Sequence, residues 1–397
     1  MEEVFRVLIV DDQPKNLQVL ALSLNDLGVK TVAANSGLAA LKIVEQNQPD
    51  LILLDIMMPE MDGYEVIEEL KKNIVTKNIP VIFLSAKSET EDIVKGLKLG
   101  AIDYISKPFK REELLARVEI QLKFKKAQDT IKKQATELEE IYIKIRKSIN
   151  YAGMIQSIII PSEGALKSLI PDSFLLFKPK DIVSGDFFWI AEENDITFIA
   201  VADATGHGVP GALISMLGIS FLNDLIGKLA DYDTDTILDY LRKKMKTTLR
   251  QKDSYVTISD GMAMSLCAID KKNRKMKFSG AEQSIIITKR INLETEVVEI
   301  KGDAMPIAVY IDESSFTEHD IQISDNDCIY LFTDGYVDQL GGNLDRRFMV
   351  KNFKILVQEM TLKPFTEQKN IIENKIHSWM GENTSQLDDI LIIGFRI

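Results

Sequence analysis

From Phe5 to about Leu122 the chain alternates between two kinds of apolar pattern. Short runs rich in β-branched residues, FRVLIVDD, KTVAAN, DLILLDIMMP, IPVIFLSA and AIDYISKPF, are separated by stretches with helical spacing. That order implies parallel strands with helical crossovers, a doubly wound α/β sheet of five strands. Between Arg111 and Ile160 the pattern changes: Gly153 is the one glycine, proline is absent, and charged residues alternate with single apolar ones. One long helix is expected there. Phe124, Ile131, Leu138, Ile145 and Ala152 fall seven apart, and Ala135, Tyr142 and Ile149 lie four beyond three of them. This is the spacing of a coiled-coil seam through which two copies would pair, interrupted by Gln128 and Lys132; the alternative is a solvated helical spacer. From Pro161 onward the pattern is of strands with helices inserted. The expected units are therefore 1–122, a linker helix 123–156, and 157–397.

Several of the apolar runs end in acids. In a doubly wound sheet, sites form at the C-terminal ends of strands, and here those ends carry Asp11 and Asp12, Asp55, Ser85, and Lys107 followed by Pro108. Asp11, Asp12 and Asp55 together would bind a divalent cation and leave Asp55 free to attack a phosphorus centre, with Lys107 and Ser85 holding the phosphoryl oxygens. Acids also collect at strand ends simply as turn formers, but five such positions on successive strands of one sheet favour chemistry.

In the last segment the run Ile196 to Ala202 delivers Asp203 into a turn made by Thr205, Gly206, His207 and Gly208. Pro210 then opens a helix whose apolar face is Ala212, Leu213, Met216 and Leu217. Asp203 there is either a ligand for a hard cation or a helix cap. Asp186, Asp334 and the pair Asp388 and Asp389 stand in or beside the other notable runs, DIVSGDFFWI, CIYLFTDGY and QLDDILIIGF. Strands packed as sheets would bring these acids to a shared pole. Bare carboxylates so gathered repel one another; two divalent cations would relieve that, and a water between them would be a nucleophile at neutral pH.

At 397 residues the chain suits two or three domains. A formal charge of −12 and a pI near 5.0 argue against a nucleic-acid or anionic-membrane surface. Cys267 and Cys328 lie far apart in apolar runs and read as reduced core residues of a cytoplasmic protein. The acidic N-terminus lacks the pattern of a secretory signal, and no apolar run reaches membrane-spanning length.

On these residues the segment Phe5 to Leu122 resembles the receiver domain of two-component response regulators. The resemblance implies Asp55 as phosphoacceptor for a cognate histidine kinase, Asp11 and Asp12 as Mg²⁺ ligands beside it, Ser85 and Lys107 as contacts to the phosphoryl group, and Tyr104 as an aromatic switch. It also implies a cis bond between Lys107 and Pro108.

The segment from about Tyr151 to Ile397 resembles the SpoIIE-type branch of the PP2C family of metal-dependent serine/threonine phosphatases. The signatures are DIVSGDFFW, VADATGHGVPGALISMLG, DGMAMSLC, LFTDGYVDQLGG and LDDILIIG. An α+β fold is implied, a β-sandwich flanked by helices. Further implied are Asp203 bridging two Mn²⁺ or Mg²⁺ ions with the Ala204 carbonyl as another ligand, Asp334 with the Asp388 and Asp389 pair completing one metal, alignment with the family's final Asp favouring Asp388, and Asp186 contacting the other mainly through water. His207 is a candidate general acid or a structural residue of its turn. The substrate would be a phosphorylated partner protein, in relatives often a STAS-domain anti-sigma-factor antagonist. Two departures stand out: the family's DGMDI reads DGMAM here, placing Ala263 where an acid is usual, and Glu282 and Gln283 replace an Asn-rich turn. A phosphatase domain degenerated to a phosphorylation-controlled binding module is the rival expectation.

Overall fold

The structure is a computed structural model describing residues 4–85, 90–228, 233–251, 260–291, 294–342, 345–382 and 384–397. It divides into two compact units, Met1–Tyr142 and Ile143–Ile397.

In the first unit, β1 (Arg6–Val10), β2 (Lys30–Ala34), β3 (Leu51–Asp55), β4 (Val81–Ser85) and β5 (Asp103–Ser106) form one parallel sheet in the order β2-β1-β3-β4-β5. The helices α1 (Pro14–Leu24), α2 (Gly37–Gln46), α3 (Gly63–Lys72) and α4 (Thr90–Lys98) make the crossovers. β3 and β4 are buried along their whole length, as expected where helices cover both faces of a parallel sheet. Local chemistry sets the helix starts. Ser36 caps α2, and Asp62 and Glu65 form a reciprocal capping box at α3. This is the doubly wound five-stranded sheet expected from the alternating runs.

The fifth helix, α5 (Arg111–Ile159), runs 49 residues without a break. Leu114, Val118 and Leu122 bury its first turns in the first unit. Phe124, Ile131, Leu138 and Ile145 of the seam are each more than half exposed. The seam is free only that far. Ile149 and Ala152 are partly covered, and a Cβ at Gly153 would lie 2.9 Å from the Ile182 carbonyl oxygen, so the last turns of α5 pack closely within the second unit.

The second unit begins with α6 (Glu163–Leu169) and β6 (Ser173–Lys178), and continues through β7 (Phe187–Glu193), β8 (Ile196–Ala204), α7 (Val209–Leu225) and α8 (Thr234–Thr248). Strands β9 (Met262–Asp270), β10 (Lys275–Ala281), β11 (Ile285–Ile291), β12 (Glu294–Ile300), β13 (His319–Gln322) and β14 (Cys328–Phe332) lead to the short helix α9 (Asp334–Val337). A two-stranded ribbon of β15 (Leu340–Gly341) and β16 (Arg346–Arg347), the helices α10 (Val350–Met360) and α11 (Phe365–Met380), and β17 (Ile390–Arg396) complete the chain. Two antiparallel five-stranded sheets result, β13-β10-β9-β8-β7 and β12-β11-β14-β17-β6.

Period-two alternation sorts the side chains of the second sheet. Ile285, Ile287, Ile329, Leu331, Leu391 and Ile393 join the core shared with the first sheet, whereas Ile286, Tyr330, Ile390 and Ile392 pack with α10 and α11. The sandwich flanked by helices is the expected fold. No helix among the described residues is long and apolar enough to cross a membrane.

Candidate active site and candidate phosphorylation site

The first unit gathers its acids at the C-terminal edge of the parallel sheet. Ligand oxygens of Asp11, Asp12 and Asp55 all lie within 4.8 Å of one another. Asp11 is fixed from its own helix end, accepting from the Gln13 N–H at 2.9 Å and from the Asn16 amide at 2.9 and 3.0 Å. The Lys107 ammonium bridges Asp11 and Asp55 at 2.7 Å each. Asp12 is different: its Oδ1 is buried with no hydrogen-bond partner. A buried oxygen left unpaired beside two further carboxylates is the donor set a hard divalent cation such as Mg²⁺ takes.

Burial pushes the Asp55 carboxyl above its ordinary value, with Lys107 pulling the other way and Asp11 adding to the rise. A Cβ at Gly63 would lie 2.4 Å from the Asp55 carbonyl oxygen, so only glycine lets α3 start this close to the phosphoacceptor candidate. Ser85 is buried at the end of β4, and its carbonyl accepts the Lys107 N–H at 2.7 Å. The peptide from Lys107 to Pro108 is cis. Tyr104 is half-buried and lines a small hollow with Ser85, Phe83 and Ile93, the Arg117 guanidinium lying 5.9 Å from its ring.

In the second unit, four turns and strand ends converge. Asp203 closes β8, Asp186 precedes β7, Asp334 opens α9, and Asp388 and Asp389 precede β17. Asp203 shares hydrogen bonds with Asp186 on one side and Asp334 on the other. These acids form a row centred on Asp203. The helix that follows Asp203, α7, has Gly208 at its N-cap and no side-chain cap, so the capping alternative for Asp203 does not hold. Thr333 supports the row, donating to Asp186 Oδ2 at 2.6 Å and accepting from the Leu391 N–H at 3.1 Å.

Among the described residues no lysine or arginine makes a salt bridge with any of the five acids. Burial raises the carboxyl of Asp186 well above its ordinary value, with the charge of Asp203 next in importance. For Asp203 burial, then Asp334 and Asp388, lift it to about 7. Asp334 is raised by burial and by Asp338 and Asp388. Desolvated acids that no lysine or arginine among the described residues pairs with are a donor set that divalent metals fit.

Asp388 and Asp389 differ in environment. Both oxygens of the buried Asp389 are occupied at 2.7 Å, by the N–H groups of Lys180 and Gly185. Asp388 is exposed, and its charge bears on Asp203 and Asp334. Gly335 is needed here because a Cβ would come within 1.9 Å of the Asp389 carbonyl oxygen. Gly185 likewise admits the carbonyl oxygens of Ala204 and Gly206, at 2.9 and 2.8 Å from where its Cβ would be. His207 is exposed, its Nδ1 lying 3.2 Å from Asp181 Oδ2. Ala263 stands directly across the β8–β9 ladder from Asp203.

Sequence reasoning did not single out Thr333, Lys180 or Gln156. The Gln156 amide, buried in the last turns of α5, donates to the Ser184 carbonyl at 2.6 Å and to Ser215 at 3.0 Å, and accepts from the Ser184 N–H at 3.0 Å. It thereby ties α5 and α7 to the segment that carries Gly185 and Asp186. A buried glutamine near the end of a long polar helix has no local signature in the sequence.

Comparison with known proteins bears on both units. The sequence model of the response regulator receiver domain matches residues 7–119, and that of stage II sporulation protein E (SpoIIE) matches residues 193–397, just over half of the chain. The chain belongs to the SpoIIE family. The SpoIIE match takes in Asp203, Asp334 and Asp388, whereas Asp186 and Gln156 precede it. Among solved structures, the SiaA-PP2C domain of Pseudomonas aeruginosa is 30% identical with a TM-score of 0.58, covering 65% of this chain and 98% of that one. The SpoIIE region of this chain is therefore a PP2C-type domain preceded by a receiver domain.

Curated relatives match over about a third of this chain. A probable cyclic di-GMP phosphodiesterase of Vibrio cholerae is 46% identical over 34% of this chain and 30% of its own length. The DNA-binding response regulator MtrA of Mycolicibacterium smegmatis is 42% identical over 30% of this chain and 50% of its own. This chain thus spans between about a third and a half of these curated relatives.

Proposed function

We propose that this protein is a response regulator in which phosphorylation of Asp55 controls a metal-dependent phosphatase acting on phosphoserine or phosphothreonine of a partner protein. The observation that carries the reading is the row of desolvated acids centred on Asp203, with which no lysine or arginine among the described residues makes a salt bridge. In the receiver, the Asp55 carboxylate takes a phosphoryl group from a phosphohistidine of a cognate histidine kinase, while Lys107, already 2.7 Å from Asp55, follows the charge onto the new phosphoryl oxygens. Asp11 and Asp12 would hold Mg²⁺ beside it. Ser85 and Tyr104, lining one hollow, are placed to respond together.

In the phosphatase domain Asp203 would bridge two Mn²⁺ or Mg²⁺ ions, with Asp334 and Asp388 completing one and Asp186 and the Ala204 carbonyl serving the other. Divalent cations in such a row neutralise a phosphoryl group and lower the pKa of water. Thr333 holds Asp186 in its rotamer by donating to it. Asp389, both of whose oxygens are taken by backbone N–H groups, fastens the 180–185 segment rather than serving as a ligand. His207, exposed and beside Asp181, is suited to give a proton to a departing serine or threonine oxygen. The phosphoprotein is of the kind the family resemblance suggests, a STAS-domain antagonist.

Hydrolysis of p-nitrophenyl phosphate with Mn²⁺, and its loss with chelator, tests this directly. Retained activity in Asp203→Asn at matched metal loading sinks the two-metal assignment. The rival reading, a binding module without turnover, rests on Ala263 standing where an acid would face Asp203. Full metal-dependent activity of the natural chain removes it.

The exposed positions Phe124, Ile131, Leu138 and Ile145 favour pairing of two copies through α5. Because an α-helix turns about 100° per residue, adding two residues near Gln134 rotates the downstream turns of α5 by roughly 200°, and adding seven by only about 20° from register. If helix orientation transmits the signal, the seven-residue insertion keeps phosphorylation-dependent activity and the two-residue insertion loses or inverts it. Parental behaviour in both leaves the linker as a tether.

A further inference from the structure

Apart from the acid row, the phosphatase domain has a groove of about 620 Å³ between α8 and the segment carrying Glu313. In a chain of net charge −12 its lining is unusual: four cations, Arg242, Lys243, Lys246 and Arg250, against two acids, Asp239 and Glu313. The acids are spent on two of the cations. Arg242, buried, gives its guanidinium to Asp239 at 2.5 Å and to the Ser314 carbonyl at 2.6 Å. Lys246 is held by Glu313 at 2.5 Å. The side chains of Lys243 and Arg250 make no hydrogen bond or ion pair among the described residues, which leaves the groove two positive charges that no described acid pairs with.

Cations near a helix C-terminus are favoured by the helix dipole, and that accounts for part of the pattern. Arg250 follows the C-cap Leu249 with φ 51°, the left-handed conformation in which helices often end. The dipole does not account for a concave surface closed by a second segment.

Hydrogen bonds link the segments beside the groove to the end of β8 that carries Asp203. Gln251, the residue after Arg250, donates to the Asp260 carbonyl and accepts from the Val309 N–H at 3.0 Å. Gly261, directly after Asp260, accepts from the N–H of Thr205, two residues after Asp203, at 2.9 Å. The Ile307 N–H, six residues before Glu313, donates to the Met262 carbonyl at 2.8 Å, opposite Ala204 in the ladder.

The lining sets the chemistry of the occupant. Apart from Thr247, the residues that line it are charged. A surface of exposed ammonium and guanidinium groups suits several carboxylates presented by a protein segment. We propose that this groove docks an acidic stretch of the phosphoprotein substrate, with Lys243 and Arg250 making the new ion pairs and Arg242 and Lys246 held ready by their acids. That the docked protein is a substrate rests on the phosphatase reading, and the test separates the two.

Binding is measured on the full chain by fluorescence anisotropy of a labelled peptide of alternating glutamate and serine, against the same peptide with glutamine for glutamate. The glutamate peptide is expected to bind more tightly, with an affinity that falls as salt rises. The double variant Lys243→Glu, Arg250→Glu, altered only at exposed positions, should weaken it by about ten-fold or more, since two attractions become repulsions. Hydrolysis of p-nitrophenyl phosphate by that variant should stay at the parental rate. Equal binding of the two peptides, or unchanged binding by the double variant, overturns the proposal. Displacement of the peptide by inorganic phosphate at matched charge also overturns it, because the groove is then a small-anion site. Absence of p-nitrophenyl phosphate hydrolysis in the parent chain counts against the phosphatase reading alone, while the peptide arms still judge the groove.

Discussion

The receiver and the phosphatase domain each bring acids to the end of a sheet, yet they treat the resulting charge in opposite ways. In the receiver Lys107 stands between Asp11 and Asp55, so the cluster is part-neutralised by the protein and a single unpaired oxygen, on Asp12, is left over. In the phosphatase domain no lysine or arginine among the described residues pairs with the row, and burial and mutual repulsion lift Asp203 to about 7. On the proposed reading, the first arrangement would leave Asp55 free to accept a phosphoryl group beside its cation. The second is costly to hold together, so on the proposed reading cation binding would stabilise the domain.

Removing the centre of the row should have the largest effect. Asp203→Asn takes a ligand from both expected metals and is predicted to lower Mn²⁺-dependent p-nitrophenyl phosphate turnover by at least about 100-fold. Phosphorylation of Asp55 by a small acyl phosphate, followed by mass, should be unaffected.

Next in size is the dependence of stability on pH and metal. A carboxyl with a raised folded-state pKa binds its proton more tightly when folded. Its stabilising contribution is whole below the ordinary 3.8 and is lost as pH rises through about 7 for Asp203, with Asp186 and Asp334 shifted in the same direction. In chelator, the unfolding transition of the phosphatase domain should therefore fall in temperature between pH 5 and pH 8. Saturating Mn²⁺ should flatten that slope. A transition in chelator that is indifferent to pH, in calorimetry, breaks the contrast between the two sites.

The contrast can also be turned around. Lys107→Met leaves Asp11, Asp12 and Asp55 without their counter-charge, making the receiver resemble the phosphatase row. The receiver transition should then drop in the absence of metal and rise more steeply with added Mg²⁺ than in the parent chain. An equal Mg²⁺ response in both would mean that Lys107 does not compete with the cation.

How far these sites were legible in the sequence depends on how local their determinants are. Asp11, Asp55 and Lys107 each end a short β-rich run in a repeating strand and helix order, so topology alone brings them together. Asp203, before a glycine turn and a proline-started helix, was legible for the same reason. The choice between Asp388 and Asp389 was not. Adjacent residues in extended chain point opposite ways, and the groups that occupy Asp389 lie 204 and 209 positions away, at Gly185 and Lys180. Gln156 was hidden differently: polarity in a long charged helix predicts exposure, and only the closure of the 182–184 loop over Gly153 buries it. The seam of α5 was read as far as Ala152, whereas packing within the second unit begins to cover it at Ile149.

The smallest effect concerns the acid that is missing. Ala263 is the ladder partner of Asp203, and directly opposed residues of an antiparallel pair have Cβ atoms about 5 Å apart on the same face. A carboxylate introduced there enters a row that already lacks counter-charge. Without metal, Ala263→Asp should lower the unfolding temperature at pH 8 and leave it nearly unchanged at pH 5, where the added acid shares in the protonation of its neighbours. With metal the sign reverses, since one more oxygen donor helps neutralise the cations, and half-saturation in a Mn²⁺ titration should move to lower concentration by a few-fold, about 1 kcal/mol or less. The maximal rate should change less than the titration, because Asp186, Asp203, Asp334 and Asp388 already surround the expected pair. Two outcomes would redraw this picture. A titration that does not move places residue 263 outside reach of the metals despite its register. Turnover that appears only in the substituted chain shows that the natural alanine silences the row, and assigns the natural protein to binding rather than hydrolysis.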